Sequence, residues 1–199
     1  MDHKSLKVGV TGGIGSGKTL VCKIFEVLGI DVYYADARAK WLQNHDAVLT
    51  QQIKEAFGHQ AYDRQGLLDR NFLANTVFSD NKKLALLNQL VHPRVAEDYQ
   101  QWVAQRPLNL YTIKEAALLF ETGSYRQLDK IISVDAPRDV RVQRVVQRDP
   151  YRSREQVIRI THQQLGDTER RQRADYNIDN GGDTLVIPQV LQIHRELRK

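Results

Sequence analysis

Short β-rich runs alternate with segments of helical period along these 199 residues, and a glycine-rich loop joins the first run to the first helix. Those two observations predict an α/β fold, a parallel sheet covered by helices. A third narrows it. Residues 9–20, "GVTGGIGSGKTL", hold five of the chain's twelve glycines, so backbone at this point must approach something closely.

Taken in order, "LKVGVT" (6–11) reads as a strand and "TLVCKIFEVLG" (19–29) as a helix closed by glycine. "GIDVYYAD" is a second strand, ending at Asp36. Residues 39–58 read as one helix, with Trp41, Leu42, Val48, Leu49, Ile53 and Phe57 spaced for one face. "DRQGLLDRNFLANTVFSD" begins as a turn and becomes a helix. The segment 81–105 supplies one or two more, with Pro93 marking an interruption. Strands follow at 108–113 and 130–137, then a long arginine-rich helical region from Arg138. "YNID" (176–179) reads as the last strand, followed by the turn "NGGD" and a final amphipathic helix.

The chain suffices for one sizeable core and is expected to form a single domain with small excursions. The helical stretch from about 39 to 105 is long for a connection between neighbouring strands and suits a second-substrate pocket. Its aromatics, Trp41, Phe57, Phe72, Phe78, Tyr99 and Trp102, read as core residues. No apolar run approaches the ~20 residues of a membrane span. The N-terminal "MDHKSLK" runs straight into the first strand and leaves no room for a signal peptide. With one cysteine, Cys22, no intramolecular disulfide can form, and a reducing cytoplasm is the expected setting.

From Gly12 the loop reads G-G-I-G-S-G-K-T, which matches G-x-x-x-x-G-K-[ST] at every fixed position. Glycines let consecutive amides turn inward into a nest of N–H donors. The helix that begins near Gly17 adds its positive N-terminal end. Lys18 supplies a point charge for the β- and γ-phosphates, and the Thr19 hydroxyl is a hard ligand suited to Mg²⁺. The loop is therefore expected to bind a nucleoside triphosphate. No G-x-G-x-x-G can be read here, which excludes a dinucleotide fingerprint.

Net charge is +5, which suits a nucleic acid or a small polyanionic substrate. The distribution favours the second. Ten of the eighteen arginines lie between Arg138 and Arg173, and no lysine occurs from Ile131 to Arg198. Arginine grips phosphate through a planar fork, which lysine lacks. Arg138, Arg141, Arg144 and Arg148 can share a helical face. The arginines around Asp149-Pro150 mark a flap that closes over a triphosphate, with Arg144 and Arg148 foremost. Asp36, at the end of the second strand, has two readings: a carboxylate that accepts the proton of an attacking hydroxyl, or a helix N-cap. A lone His92-Pro93, without a second histidine at metal spacing, gives no zinc site. "NKKL" lacks the aspartate of a guanine-specific N-K-x-D.

Together these landmarks resemble the dephospho-coenzyme A kinase family. The matching pieces, in the family's order, are "VTGGIGSGKT", "LGIDVYYAD", "GLLDRNFLANTVF", "HPRV", "ALLFETG", "DKIISVDAP", "QRVVQRDPYRSREQVIRITHQQ" and "ADYNIDNGG". The resemblance implies a three-layer phosphate-loop kinase fold with a five-stranded parallel sheet. It lays the domain out as a core (about 1–38, 106–137 and 174–199), a helical coenzyme-binding insertion (about 39–105) and an arginine-rich lid (about 138–173). It implies ATP- and Mg²⁺-dependent phosphorylation of the ribose 3′-hydroxyl of dephospho-coenzyme A, a small-molecule substrate, with no nucleic-acid or membrane partner and no implied oligomeric state. Gly15, Ser16, Gly17, Lys18, Thr19 and Leu20 would hold the ATP phosphates, with Thr19 on magnesium and Lys18, Asp36, Arg144 and Arg148 as catalytic groups. Asn180 would lie near the adenine. Asp36, His92, Arg94 and Glu121 would border the acceptor. Two departures stand out: Tyr34-Ala35-Asp36 replaces a D-A-D triplet, and Lys114-Glu115 stands where many members are apolar. Glu115 either acts as an outer-shell magnesium carboxylate or marks this branch.

Overall fold

The computed structural model describes residues 5–78 and 80–199; residues 1–4, Ser79 and the side chain of Phe78, read above as core, lie outside the described residues. In chain order the elements are β1 (Leu6–Thr11), α1 (Lys18–Val27), β2 (Val32–Tyr34), α2 (Ala35–His45), α3 (Ala47–Phe57), α4 (Arg70–Phe78) and α5 (Asn81–Ala104). Then come β3 (Tyr111–Glu115), β4 (Lys130–Asp135), α6 (Arg138–Arg148), α7 (Arg154–Gln163), α8 (Asp167–Arg173), β5 (Tyr176–Asp179) and α9 (Val186–Leu197). They divide into two compact units, Met1–Tyr34 with Arg106–Lys199, and Ala35–Gln105.

Several boundaries differ from the sequence reading, each for a local reason. β2 stops at Tyr34 and Ala35 already opens α2. Asp36 is thus neither the end of a strand nor a cap, but an exposed residue in a first helical turn. The helix expected over 39–58 is two, because Asp46 takes an extended conformation and its carboxylate accepts the Leu49 N–H at 2.8 Å, capping α3. Conversely, Pro93 does not interrupt α5. It costs one ladder bond, but Leu87, Val91, Val95 and Tyr99 keep one buried face on both sides of it. β3 lies further along than expected: Leu108 is 95% exposed, and the strand takes in Lys114 and Glu115 instead. The arginine-rich region breaks into three helices, the second started by a reciprocal capping box between Ser153 and Gln156.

The first unit is a five-stranded sheet in the order β2-β3-β1-β4-β5, every pair parallel. β1 is central, with Val10 beside Glu115 on one side and Ile132 on the other. The chain leaves β1 for one side of the sheet and later crosses to the other, so the carboxyl ends of β1, β3 and β4 surround a topological switch point. On one sheet face Val8, Val10, Tyr111, Ile113 and Ile132 pack with Val21, Phe25, Val190 and Ile193 of α1 and α9. The Phe25 ring meets Tyr111 edge-on, centroids 6.3 Å apart. Truncating a phenylalanine so placed costs about 3–5 kcal/mol. Cys22 shares this core without exposure; burial, then the nearby Glu115, push its thiol far above the ordinary value. Lys114 is buried too, which pulls its ammonium down to about 8.

The second unit packs α2, α3, α4 and α5 around Leu42, Leu49, Ile53 and Tyr99. Arg38 grips both carboxylate oxygens of Asp98 (2.9 and 2.5 Å), and Arg94 sends two donors to the single Oδ2 of Asp46 (2.9 and 2.5 Å). These clamps join helices distant in sequence.

In the first unit the Tyr111 hydroxyl lies 2.6 Å from His194 Nδ1. Burial, then Arg198, push the imidazole below its ordinary 6.5, so the folded chain binds this proton more weakly than the unfolded one. Stability tied to His194 is therefore present above 6.5 and lost as pH falls below it. Thermal midpoints measured from about pH 7.5 to 5 should fall more steeply in the natural protein than in His194→Gln. Parallel profiles would refute this.

Candidate active site

β1 ends at Thr11 and the chain turns through the phosphate loop into α1. Gly17 caps α1 in the left-handed region (φ 96°, ψ 23°), and Gly15 lies there too (φ 79°). Sterics of approach are as strict as the dihedrals. A Cβ on Gly15 would strike the Arg141 carbonyl oxygen and stand 2.9 Å from a Val145 methyl; one on Gly17 would strike the Asn180 amide nitrogen. The loop is thus held between α6 on one side and the residue after β5 on the other. Within it the Ser16 N–H donates to the Gly13 carbonyl at 3.1 Å, and Lys18 Nζ donates to the Gly12 carbonyl at 3.0 Å. The Ser16 hydroxyl is buried and has no hydrogen-bond partner among the described residues. Thr19 and Leu20 open α1 with exposed side chains. The Ile14 N–H donates to Gln164 Oε1 at 2.8 Å.

Asn180 is buried and donates from Nδ2 to the Ser16 carbonyl at 2.7 Å, while its own N–H donates to the Asp135 carbonyl at 2.7 Å. Its side chain is a brace for the phosphate loop, a role the reading as an adenine neighbour missed.

The arginines sort into two kinds. Arg141 and Arg170 are only 4% and 3% exposed. Arg141 donates from Nε to the Ala136 carbonyl at 3.0 Å and from Nη2 to Asp167 at 2.7 Å; its guanidinium also lies against Gly13. Arg170 pairs with Asp167 and reaches Asp135 at 3.4 Å and the Leu165 carbonyl at 2.9 Å. Arg171 adds a contact to Asp135 at 3.2 Å. Arg144 and Arg148 differ. Arg144 is half-buried, and its Nη1 has no hydrogen-bond partner among the described residues. Arg148 is exposed, donating to both oxygens of Asp149 at 3.0 and 2.9 Å, and holds that carboxyl below the usual range. The four arginines of α6 therefore do not act as one face: Arg141 turns inward, and Arg138 lies exposed against His162 at 2.8 Å.

The residues expected at the acceptor fall in different places. Asp36, His92 and Arg94 belong to the second unit, where Asp36 and His92 are exposed and Arg94 holds Asp46 and Glu97. Burial works against ionisation of Asp46, yet Arg94 and the Leu49 amide keep its carboxyl below the usual range. Glu121 belongs to the first unit and accepts the Leu165 N–H at 2.7 Å. No group of three His, Cys, Asp or Glu side chains among the described residues is arranged to hold a metal. Gln164, Asp135, Asp167 and Arg170 were absent from the sequence reading of the site. Asp135 ends β4 in the structure but falls inside the strand read over 130–137, so its position gave no signal like that of Asp36.

Residues 6–185 match the family model described as dephospho-CoA kinase. The chain belongs to the dephospho-CoA kinase family. A curated dephospho-CoA kinase of Porphyromonas gingivalis is 36% identical over 193 residues, covering 97% of this chain and 95% of its own. Among solved structures, a protein of Thermus thermophilus superposes with a TM-score of 0.86 at 30% identity, covering 97% of each chain. A dephospho-CoA kinase from Campylobacter jejuni gives 0.71 at 23% identity over 96% of each chain and supports the fold, that of a phosphate-loop kinase. Members of this family are kinases, enzymes that use ATP.

Two substitutions probe the loop. Lys18→Ala should stay folded and lose most turnover, by roughly 100-fold or more when a charge-neutralising group at a transferring phosphoryl is removed; near-normal turnover would defeat the assignment. Asn180→Ala should cost about 1–3 kcal/mol in urea unfolding, because a buried carbonyl loses its donor, and should weaken ADP binding as well.

Proposed function

We propose that this chain transfers the γ-phosphate of ATP to the ribose 3′-hydroxyl of dephospho-coenzyme A, giving coenzyme A and ADP. Dephospho-CoA kinases phosphorylate dephospho-CoA with ATP as the final step of coenzyme A synthesis. The observation that carries the reading for this chain is the braced phosphate loop at the sheet's switch point, with an Arg144 guanidinium nitrogen unengaged on the adjoining helix.

The amides of Gly15 to Leu20 and the N-terminus of α1 receive the triphosphate, and Lys18 turns from the Gly12 carbonyl to its β- and γ-oxygens. Arg144 and Arg148 neutralise charge that grows on the transferring group. Asp36 accepts the proton of the attacking hydroxyl; the new O–P bond forms as the bond to the β-phosphate bridge breaks, and ADP leaves. Its exposed carboxylate at the start of α2 supports that role better than capping, since it lies inside the helix. His92, Arg94 and Glu121 border the coenzyme substrate, and the unit built from residues 35–105 binds its remainder. Asn180 serves the nucleotide through the loop it braces.

The donors present suit Mg²⁺. Magnesium keeps several waters and takes one or two protein oxygens together with substrate phosphates. An exposed Thr19 hydroxyl beside Lys18, with no preformed cluster of protein ligands among the described residues, matches an ion that arrives with the nucleotide. When bound, it would withdraw charge from the phosphate oxygens. Glu115, buried at the carboxyl end of β3, would serve as an outer carboxylate for that ion. The natural setting is the cytoplasm, supported by the single buried thiol; no helix among the described residues is long and apolar enough to cross a membrane. The partner is a small molecule and not a nucleic acid, a reading supported by the arginine clustering.

An acceptor panel with Mg-ATP tests the reading: dephospho-coenzyme A, AMP, CMP, shikimate and no acceptor, with ADP release followed and products identified by mass. Coenzyme A formed only in the first reaction is the expected result. Turnover on a nucleotide would discard the acceptor, and ADP release stimulated by nucleic acid would discard the reading altogether. Asp36→Asn should depress single-turnover phosphoryl transfer by about 100-fold or more with ATP affinity almost unchanged. Normal transfer would remove Asp36 from the chemistry.

A further inference from the structure

Among the loop's amides, that of Ile14 is engaged by a side chain from 150 residues away, Gln164 Oε1 at 2.8 Å. Gln164 follows α7, the second helix of the arginine-rich region, and its Nε2 reaches back to the Ala117 carbonyl at 3.4 Å. The next residue is fixed as well, by the Leu165 N–H donating to Glu121. The Ile14 side chain is not in the main core. It packs against a separate small cluster of Val142, Val145 and Val157, which belong to α6 and α7. The tip of the phosphate loop is thus tied to the lid helices twice, by its amide and by its side chain. On the same helix pair, α6 presses its Arg141 carbonyl and Val145 methyl against Gly15 and carries Arg144.

We propose that Gln164 is a positioning residue for phosphoryl transfer: by holding the Ile14 amide it fixes where α6 stands over the phosphate loop, so that the loop and Arg144 address the same phosphates. The acceptor oxygen is what matters, because an amide N–H at a loop tip otherwise turns to water and frees the loop from the helix pair. Gln164 touches no reacting atom and acts only through Ile14 and α6. The inference rests on the reading above that the loop and Arg144 meet ATP.

Gln164→Met keeps length and bulk but removes both the acceptor and the donor. It should leave the thermal midpoint and ADP affinity close to those of the natural protein. Turnover should fall about 5- to 10-fold, the usual worth of one hydrogen bond, with KM for the coenzyme substrate unchanged. The Ile14 amide should exchange with solvent faster in the variant, read by ¹⁵N-resolved hydrogen exchange. Combined with Arg144→Ala, Gln164→Met should add less than about a twofold further loss, as expected if the two act on one step. Unchanged turnover or unchanged Ile14 exchange in Gln164→Met overturns the proposal. So do fully multiplicative losses in the double variant, and so does a fall in the ADP-binding fraction large enough to explain the lost turnover. If instead Arg144→Ala is itself fully active, the arginine assignment fails first and the proposal falls with it, a result distinct from multiplicative losses.

Discussion

Asp135 ends β4 in a place with 4% exposure; it accepts from the Ser133 hydroxyl and from Arg170, and pairs ionically with Arg171. Its main-chain carbonyl takes the N–H of Asn180, whose side chain braces the phosphate loop from one side. Arg170 continues to Asp167, and Asp167 to Arg141, whose guanidinium bears on the loop at Gly13 from the other. The loop's shape thus depends on a chain of ion pairs that begins at a strand end and runs through two buried arginines and the partly exposed Asp167. Such pairs seldom add net stability against an apolar replacement, since desolvation consumes most of the attraction. What they supply is a single arrangement: Asp135, Arg141 and Arg170 are buried, so each needs its partners in place.

The arginine richness of residues 138–173 therefore has two physical meanings. Arg141 and Arg170 are internal braces, each donating to both a carboxylate and a main-chain carbonyl. Arg144 and Arg148 stand on the same helix as Arg141, but among the described residues Arg144 keeps a buried guanidinium nitrogen without a partner and Arg148 donates only to its neighbour Asp149. A basic balance of +5 counts both kinds alike, although the first kind is committed to the fold.

Much of the fold was legible in the sequence wherever local signals and long-range packing agreed. β1, the loop and α1 combine an apolar run, glycines at required conformations and an amphipathic helix, and the strand came out residue for residue at Leu6–Thr11. The helix over 39–58 was misread because apolar spacing continues across Asp46, while the break is made by a capping bond that hydrophobic period does not reveal. Pro93 was misread in the opposite sense: the local rule said break, and tertiary burial of Val91 and Val95 overruled it. At the candidate site, the loop residues were readable because their chemistry is encoded in consecutive positions. Gln164, Asp167 and Arg170 were not, since their partners lie at strand ends and loop tips that only folding brings near.

The sole cysteine has a practical consequence. Cys22 is closed inside the core with its thiol held firmly protonated, so maleimides and other thiol-seeking dyes should leave the native protein alone. A cysteine introduced at an exposed site such as Tyr151, 76% exposed, would then be the one reactive handle on the molecule. The chain offers itself, without any prior cysteine removal, as a substrate for single-site fluorescent reporters on the segment that joins α6 to α7.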